Sequence, residues 1–596
     1  MSKASKRKQR IDQTDDSKAM IRPKGQAITP AETTPHWSDK IFFNSWRPYA
    51  WIVFIISLVY FRALGHQFVY FDDNVLILDN FWLISKLSNI GEAFRREVFL
   101  SLHSSASYYR PFLTISFMID AAIGGIKPFI YYFSNILYHA LACSLLFIFL
   151  LKLNYSRRLS FFGTLFFAVS PILTQAVAWI PGRNDSLLAI FALASAIHFI
   201  SYIKTRSWWS FGWHILLFTG AVFTKESALA LPFLLLLYVW LIAKKKIISL
   251  PTLYLVIGWV IPVVIWFLLR QEALAVNQNP LELKEALSSI FFSLPALVVY
   301  FGKIFLPADL SVLPILEDST PVYGVISLLG ILVILWFSKA RRSNYLLFST
   351  IWFLAILIPS FVKPHLEVGA DFIEHRTYLP LAGFIPLILE FGFVQEAFAL
   401  NKKELLNKIY LALLIAVLLI FSVLTFLHTS DYRDRLSFWH NAATTSPHSP
   451  LAHRNLGAMY YLNGDLDKAE AEYKSALALN PTEQMAHNNL GLIYANKKMY
   501  REAEAEYLKE LEINPRYDNA HYNLGLLYYA LGRVNEAANL WLKTLELNPD
   551  YIDAYHNIAI LYLLNGNLDK AREYAQEVVK RGGKLHPELA AKLNMQ

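Results

Sequence analysis

The chain has 596 residues, 55% of them hydrophobic and only 17% charged, where an ordinary soluble domain carries nearer a quarter charged residues. The apolar residues gather between about residues 48 and 428 in runs of roughly 17–25, the thickness of a bilayer's hydrocarbon core, and this excludes a simple soluble protein. The net charge of +9 is unevenly placed: residues 1–48 hold ten Lys and Arg against five acids, while from residue 450 onward 16 basic residues face 19 acidic ones. The excess is therefore a basic tail plus membrane-flanking loops, and no nucleic-acid partner is expected.

Residues 1–47 read as a cytoplasmic tail. The first apolar run starts near Trp46, too far in for a cleavable leader, so it is expected to stay as a span over about 48–64. A polar first external loop follows over about 65–127. Basic clusters then recur after alternate spans: Arg157 with Arg158, Lys204 with Arg206, Lys244 to Lys246, Lys339 with Arg341 and Arg342, and Lys402 with Lys403. Placing these inside leaves 180–186, 224–227, 270–286, 307–321 and 363–376 outside. Residues 287–306 are apolar with external-looking flanks, which suggests a re-entrant or interfacial segment. The expected count is eleven spans, or twelve with that segment. Eleven places the C-terminal region in a periplasm or an organelle lumen. The membrane itself is a bacterial inner or plasma membrane, or an endoplasmic reticulum. Cys143, the single cysteine, excludes a disulfide or cysteine–metal framework.

Residues 429–446 read as a linker or partial repeat helix, and beyond them the composition turns to mixed charge with helical periodicity. Ala452, Ala486, Ala520 and Ala554 stand 34 residues apart. Leu456, Leu490, Leu524 and Ile558 keep that period, as do Tyr460, Tyr494, Tyr528 and Tyr562, and Pro447, Pro481, Pro515 and Pro549. This is the tetratricopeptide (TPR) pattern, about four helix–turn–helix units over 447–596. The fold class is all-α: a polytopic helical membrane domain followed by a TPR solenoid. Stacked units form a concave surface for a protein or peptide. Asn455, Asn489, Asn523 and Asn557 recur there and either hold an extended peptide or brace the solenoid.

Ionisable residues at the membrane surface carry the chemical information, because burying them is costly. Asp72 and Asp73 open the first external loop. They suit a general base with an orienting or metal-binding neighbour, or an ordinary helix N-cap pair. Arg183 and Asp185 sit in a tight external turn, Lys225 and Glu226 in the next, and Glu374-His375-Arg376 before a later span. Singly each reads as a local ion pair or a snorkelling charge. Together they put cations and carboxylates on one face, which suits a lipid phosphate and a base.

These motifs resemble the transmembrane and TPR-containing O-mannosyltransferases, polytopic glycosyltransferases with a GT-C-like membrane domain, here over 48–428. The resemblance runs through Phe71-Asp72-Asp73, Ser107-Tyr108-Tyr109-Arg110-Pro111, Asn135 with His139, and Gly182-Arg183-Asn184-Asp185. It continues through Thr224-Lys225-Glu226-Ser227, Asn279-Pro280, Glu374 to Pro380, Phe438-Trp439 and the repeats. It implies inverting transfer of a sugar, mannose by analogy, from a polyprenyl phosphate to a hydroxyl acceptor, on protein, at the outer or luminal face. Asp72 or Asp73 would then be the base, and Arg110, Arg183, Lys225 and Arg376 would neutralise the departing phosphate. Asp185, Glu226 and Glu374 would support these cations or hold a divalent metal ion, the one cofactor the residues leave open. The alternatives are a membrane-anchored TPR scaffold without catalysis and a lipid-linked sugar transporter.

Overall fold

The computed structural model describes residues 39–99, 108–247, 250–274, 283–338, 341–362, 372–399 and 404–595. Ser107, Asn279, Pro280, the tail before residue 39 and the basic residues Lys339, Lys402 and Lys403 lie outside these ranges. Among the described residues every regular element is helical.

Among the described residues six helices are long and apolar enough to cross a bilayer: Arg47–Gly65, Pro128–Lys152, Ile180–Thr205, Leu250–Ala273, Ser343–Phe361 and Leu405–Tyr432. Two bent pairs raise the number to eight. One is Arg157–Ala168 with Pro171–Ala178, bent by 56°, and the other is Leu283–Ser293 with Pro295–Phe305, bent by 44°. The second pair covers the apolar segment around 287–306. Pro295 has no N–H to continue the hydrogen-bond ladder of the first helix, so the chain turns there. Shorter apolar helices, Pro111–Gly124, Glu226–Leu241 and Val322–Phe337, complete a multi-pass membrane protein.

The centre of the membrane part is the helix Tyr378–Leu389, every residue of which is buried. Gly383 lets the Trp352 ring lie against its backbone, in the space a Cβ would occupy, and Trp352 Nε1 donates to Leu379 O at 3.1 Å. A small residue at a crossing is how membrane helices approach closely when lipid supplies no hydrophobic drive.

The repeat region is four helix pairs: Pro450–Leu462 with Leu466–Leu479, Ala486–Asn496 with Tyr500–Ile513, Asp518–Ala530 with Val534–Leu547, and Ile552–Leu564 with Leu568–Lys580. In the first three pairs a glycine meets an aromatic ring. A Cβ on Gly457, Gly491 or Gly525 would lie 3.1, 2.7 or 2.5 Å from Tyr473, Tyr507 or Trp541. In the fourth pair both positions change together, to the buried Ala559 and Ala575. The ring and the glycine that makes room for it are thus lost together at the last crossing. Leu589 and Leu593 close the far end against Ala571 and Ala575.

Candidate active site

The chain leaves the first span through Phe61–Gly65 and reverses at Tyr70, whose φ of +58° lies in the left-handed region. The Asp73 side chain makes that reversal possible. Its Oδ2 accepts from Val69 N at 2.6 Å and its Oδ1 from Phe71 N at 3.1 Å, and the residue is buried. The adjacent Asp72 is half-buried, and among the described residues its carboxylate makes no hydrogen bond. The two acids therefore divide: Asp73 shapes the loop and Asp72 presents a carboxylate. Burial, then the charge of Asp73, push the Asp72 carboxyl up to about 7, with Arg110 opposing. Burial raises Asp73 to about 6 against the pull of its backbone donors. An acid held near neutrality without a partner is the usual state of a general base.

Three loops bring cations to the same end of the bundle. Arg110, just before helix Pro111–Gly124, is gripped by Glu226, with Nη2 to Oε1 at 2.6 Å and Nε to Oε2 at 3.3 Å. Its guanidinium lies over the Tyr108 ring, 4.3 Å from the centroid. With its amide oriented to satisfy both neighbours, Asn184 accepts from Arg110 Nη1 at 3.1 Å and donates to Thr224 O at 3.0 Å. Lys225 is buried and forks onto Asp185, with Nζ to Oδ1 at 2.9 Å and to Oδ2 at 2.8 Å. Arg376 donates to Ser360 O at 2.6 Å, and among the described residues no carboxylate pairs with it. His375 stands between these groups, its Nε2 3.6 Å from Asp185 Oδ2 and its Nδ1 3.0 Å from Gln175 Oε1. Burial, then Lys225, Arg376 and Arg110, hold its imidazole neutral, well below the ordinary histidine range.

Two expected members stand apart from this cluster. Arg183 is completely buried, and its guanidinium meets Asp120 Oδ2 at 2.5 Å, Asn135 Oδ1 at 2.8 Å, Tyr131 O at 2.7 Å and Ser116 Oγ at 3.5 Å, with the Phe117 ring 4.6 Å away. It locks the turn to the second span and turns no face to a phosphate. Glu374 is equally buried. Its Oε1 accepts from Lys303 Nζ at 2.6 Å and from Ser311 N at 3.1 Å. Burial raises its pKa, but Lys303 and then His428 bring the carboxyl below its usual range. Asp185 and Glu226 likewise already hold cations, and among the described residues no group of three or more His, Cys, Asp or Glu is placed to hold a metal ion.

The sequence reading passed over Lys303, Gln175 and Asp120, the partners of Glu374, His375 and Arg183. Lys303 and Asp120 are charges inside apolar helices, the one signal that pointed to them. Of the repeat asparagines, Asn455 donates to its own helix at Leu451 O (2.8 Å), and Asn489 Oδ1 accepts from Asn488 at 3.2 Å. Asn523 donates to Asn488 Oδ1 at 2.9 Å and Asn557 to the Tyr522 hydroxyl at 3.0 Å, each reaching the preceding unit.

The repeats are docked on the site. Phe71 stacks on Trp179 at 6.0 Å and meets Phe438 and Trp439 at 6.1 and 5.4 Å. Gln67 N donates to Arg433 O at 2.8 Å, and Asn441 Oδ1 accepts from Val312 N at 3.1 Å. Helix Arg435–Thr445, inside the stretch read as a linker, forms one buried cluster with Val69, Trp179, Val312 and Leu456.

Comparison with known proteins agrees with both halves. Family models described as TPR repeat and tetratricopeptide repeat match residues 457–498, 486–517, 525–566 and 552–587. The mouse protein O-mannosyl-transferase TMTC3 is 32% identical over 158 residues, 26% of this chain and 16% of its own length. Mouse TMTC2 is 38% identical over 122 residues, 20% of this chain and 15% of its own. The Caenorhabditis elegans protein O-mannosyl-transferase F38B6.6 is 24% identical over 452 residues, 72% of this chain and 62% of that protein. The chain thus matches about one sixth of the length of the mouse relatives. The last alignment is longer than the repeat region and so reaches into the membrane part. The resemblance read from the sequence holds: an all-α, multi-pass membrane domain carrying a TPR array, similar to the protein O-mannosyl-transferases of this type.

Proposed function

We propose that the chain is a membrane glycosyltransferase that moves a sugar, mannose by its relatives' names, from a polyprenyl phosphate to a hydroxyl on a protein, at the outer or luminal face. The observation that carries this reading is the Asp72 carboxylate, without a hydrogen-bond partner among the described residues and set near neutrality beside Arg110, which gathers with Lys225 and Arg376 around His375. The acceptor O–H gives its proton to Asp72 as the oxygen bonds to the anomeric carbon. The bond from that carbon to the phosphate oxygen breaks on the opposite side, and its electron pair leaves with the lipid phosphate. One displacement inverts the anomeric centre through an oxocarbenium-like transition state.

The phosphate gains charge as it departs, so cations fixed before the reaction lower the barrier without having to reorganise. Glu226 and Asp185 do that fixing for Arg110 and Lys225, while Arg376, held at Ser360 O, has no carboxylate partner among the described residues. The basic residues Arg157, Lys204 and Lys245 lie at the other ends of the helices that carry the site, which supports a cytoplasmic setting for that face. In this arrangement the repeats, docked through Phe438 and Trp439, present the protein acceptor above Asp72.

The test is transfer by the full chain in nanodiscs from a radiolabelled polyprenyl-phosphate mannose to added protein. Loss of turnover in Asp72→Asn with the fold intact is the expected result. Unchanged turnover in that variant overturns the assignment, and no turnover by the parent chain with several lipid-phosphate sugars turns the reading to a scaffold.

A further inference from the structure

His375 takes no part in the reaction proposed above, although it stands among its cations. It lies in the short turn Glu374–Thr377, and Gln175 sets its ring. Gln175 is buried, and its amide nitrogen donates to Val312 O at 2.9 Å. That bond turns the other end of the amide to His375, where Gln175 Oε1 accepts from the backbone N at 3.1 Å and from Nδ1 at 3.0 Å. A carbonyl oxygen can only accept, so Nδ1 carries the ring's proton. Burial and then the charges of Lys225, Arg376 and Arg110 keep the ring neutral. A neutral ring with its proton on Nδ1 presents a lone pair at Nε2.

Asp185 Oδ2 stands 3.6 Å from Nε2, too far for a hydrogen bond and itself an acceptor. The same oxygen accepts from Lys225 Nζ at 2.8 Å, so one atom separates the acceptor nitrogen from a cation. The His375 side chain is 13% exposed, and among the described residues Nε2 makes no hydrogen bond. An acceptor set beside cations fits a ligand that joins an anion to a hydroxyl. The anion meets Lys225, Arg110 and Arg376, and the hydroxyl donates to Nε2. In a sugar held to phosphate through its anomeric carbon, the hydroxyl nearest the phosphate is on the neighbouring carbon, the 2-hydroxyl.

We propose that His375 Nε2 accepts a hydrogen bond from the 2-hydroxyl of the donor sugar, which makes His375 a specificity-determining residue; the proposal rests on the glycosyltransferase reading above. The bond strengthens in the transition state, because electron density drawn onto the 2-oxygen steadies the positive charge growing at the anomeric carbon. No proton changes hands: the ring stays neutral and the 2-hydroxyl keeps its hydrogen.

The full chain in nanodiscs is given polyprenyl-phosphate mannose and its 2-deoxy and 6-deoxy analogues. His375→Asn keeps an N–H for Gln175 in the place of Nδ1 and puts nothing in the place of Nε2. Its preference for the intact over the 2-deoxy donor, in kcat/KM, should be about tenfold smaller than the parent's, with its preference over the 6-deoxy donor unchanged. Using the same donors with both enzymes cancels each sugar's intrinsic reactivity. His375→Gln, which returns a carbonyl oxygen near the place of Nε2, should recover part of the preference. A 2-deoxy preference equal in parent and His375→Asn overturns the assignment and leaves His375 a brace for Gln175. Loss of the 6-deoxy preference to the same extent also overturns it. Equilibrium binding of the three donors separates the two readings. If the parent binds donor and transfers nothing, the glycosyltransferase reading falls, and the same comparison in Kd decides the role of His375; a parent that binds none of the donors overturns both.

Discussion

The neighbouring acids Asp72 and Asp73 should respond differently to the same substitution. In Asp72→Asn the proposed base is lost and its shape is kept, so kcat should fall by about 10²–10⁴. Its effect on stability has the reverse sign. A carboxyl raised from its usual 3.8 to about 7 is more easily protonated in the fold than in the unfolded chain. The fold is therefore most favoured below the unfolded value, loses stability as pH rises through about 7, and is level above that. A shift of some three units corresponds to at most about 4 kcal/mol, and water at the half-exposed group reduces it. Asparagine carries no charge, so at pH 8 the variant should unfold at a higher temperature than the parent, by roughly 1–3 kcal/mol. Asp73→Asn loses one of two backbone bonds and sets an amide N–H against another, costing about 1–3 kcal/mol. The loss of a carboxylate itself raised to about 6 offsets that cost at pH 8, so this variant should gain less than Asp72→Asn. Thermal unfolding in detergent at pH 5 and pH 8, beside transfer at both, reads all four quantities. Equal stabilities for the two variants, or full turnover in Asp72→Asn, would refute the division of roles.

Arg110→Lys removes the fork onto Glu226 and should lower kcat/KM at least about tenfold with little change in melting, since a point charge cannot reproduce a planar grip; steady-state kinetics with donor varied checks it. Arg183→Ala leaves Asp120 buried without its cation and should destabilise the membrane domain by about 3–5 kcal/mol, seen as lower melting, while KM for donor in the surviving folded fraction stays near the parent value. Gly491→Val drives a side chain into the Tyr507 ring and should cost about 1–3 kcal/mol, read as loss of repeat-region helicity; Ala at the same place should cost less. Transfer should climb with pH on a limb centred near 7, the value of Asp72, and that limb should be absent from whatever activity Asp72→Asn retains.

Periodicity carried what was legible in the sequence. Apolar runs and the 34-residue period fixed the membrane and repeat halves because each depends on neighbours in the chain. The face that gathers Asp72, Arg110, Lys225 and Arg376 was also legible, through the positions of charges at span ends. Pairing was not. Arg110 and Arg183 look alike in sequence, and only the fold sends one to Glu226, 116 residues on, and the other to Asp120 in a helix interior. Asp72 and Asp73 separated only once the reversal at Tyr70 showed which carboxylate faces its own backbone. Among the described residues six helices are long and apolar enough to cross, or up to eight if each bent pair is one span, where the sequence led us to expect eleven. Shorter apolar helices such as Pro111–Gly124, Glu226–Leu241 and Val322–Phe337 stand beside them.

The wedge formed by Phe71, Trp179, Phe438 and Trp439 has a consequence for biosynthesis. The loop bearing Asp72 is made early, but the rings that pin it belong to a segment that emerges from the ribosome after every membrane helix has been threaded. Until then Phe71 has one of its walls and Gln67 lacks the carbonyl of Arg433. A nascent or truncated chain can thus be inserted and helical yet lack a set geometry at its carboxylate. Arrival of helix Arg435–Thr445 is the event that completes the packing around the Asp72 loop.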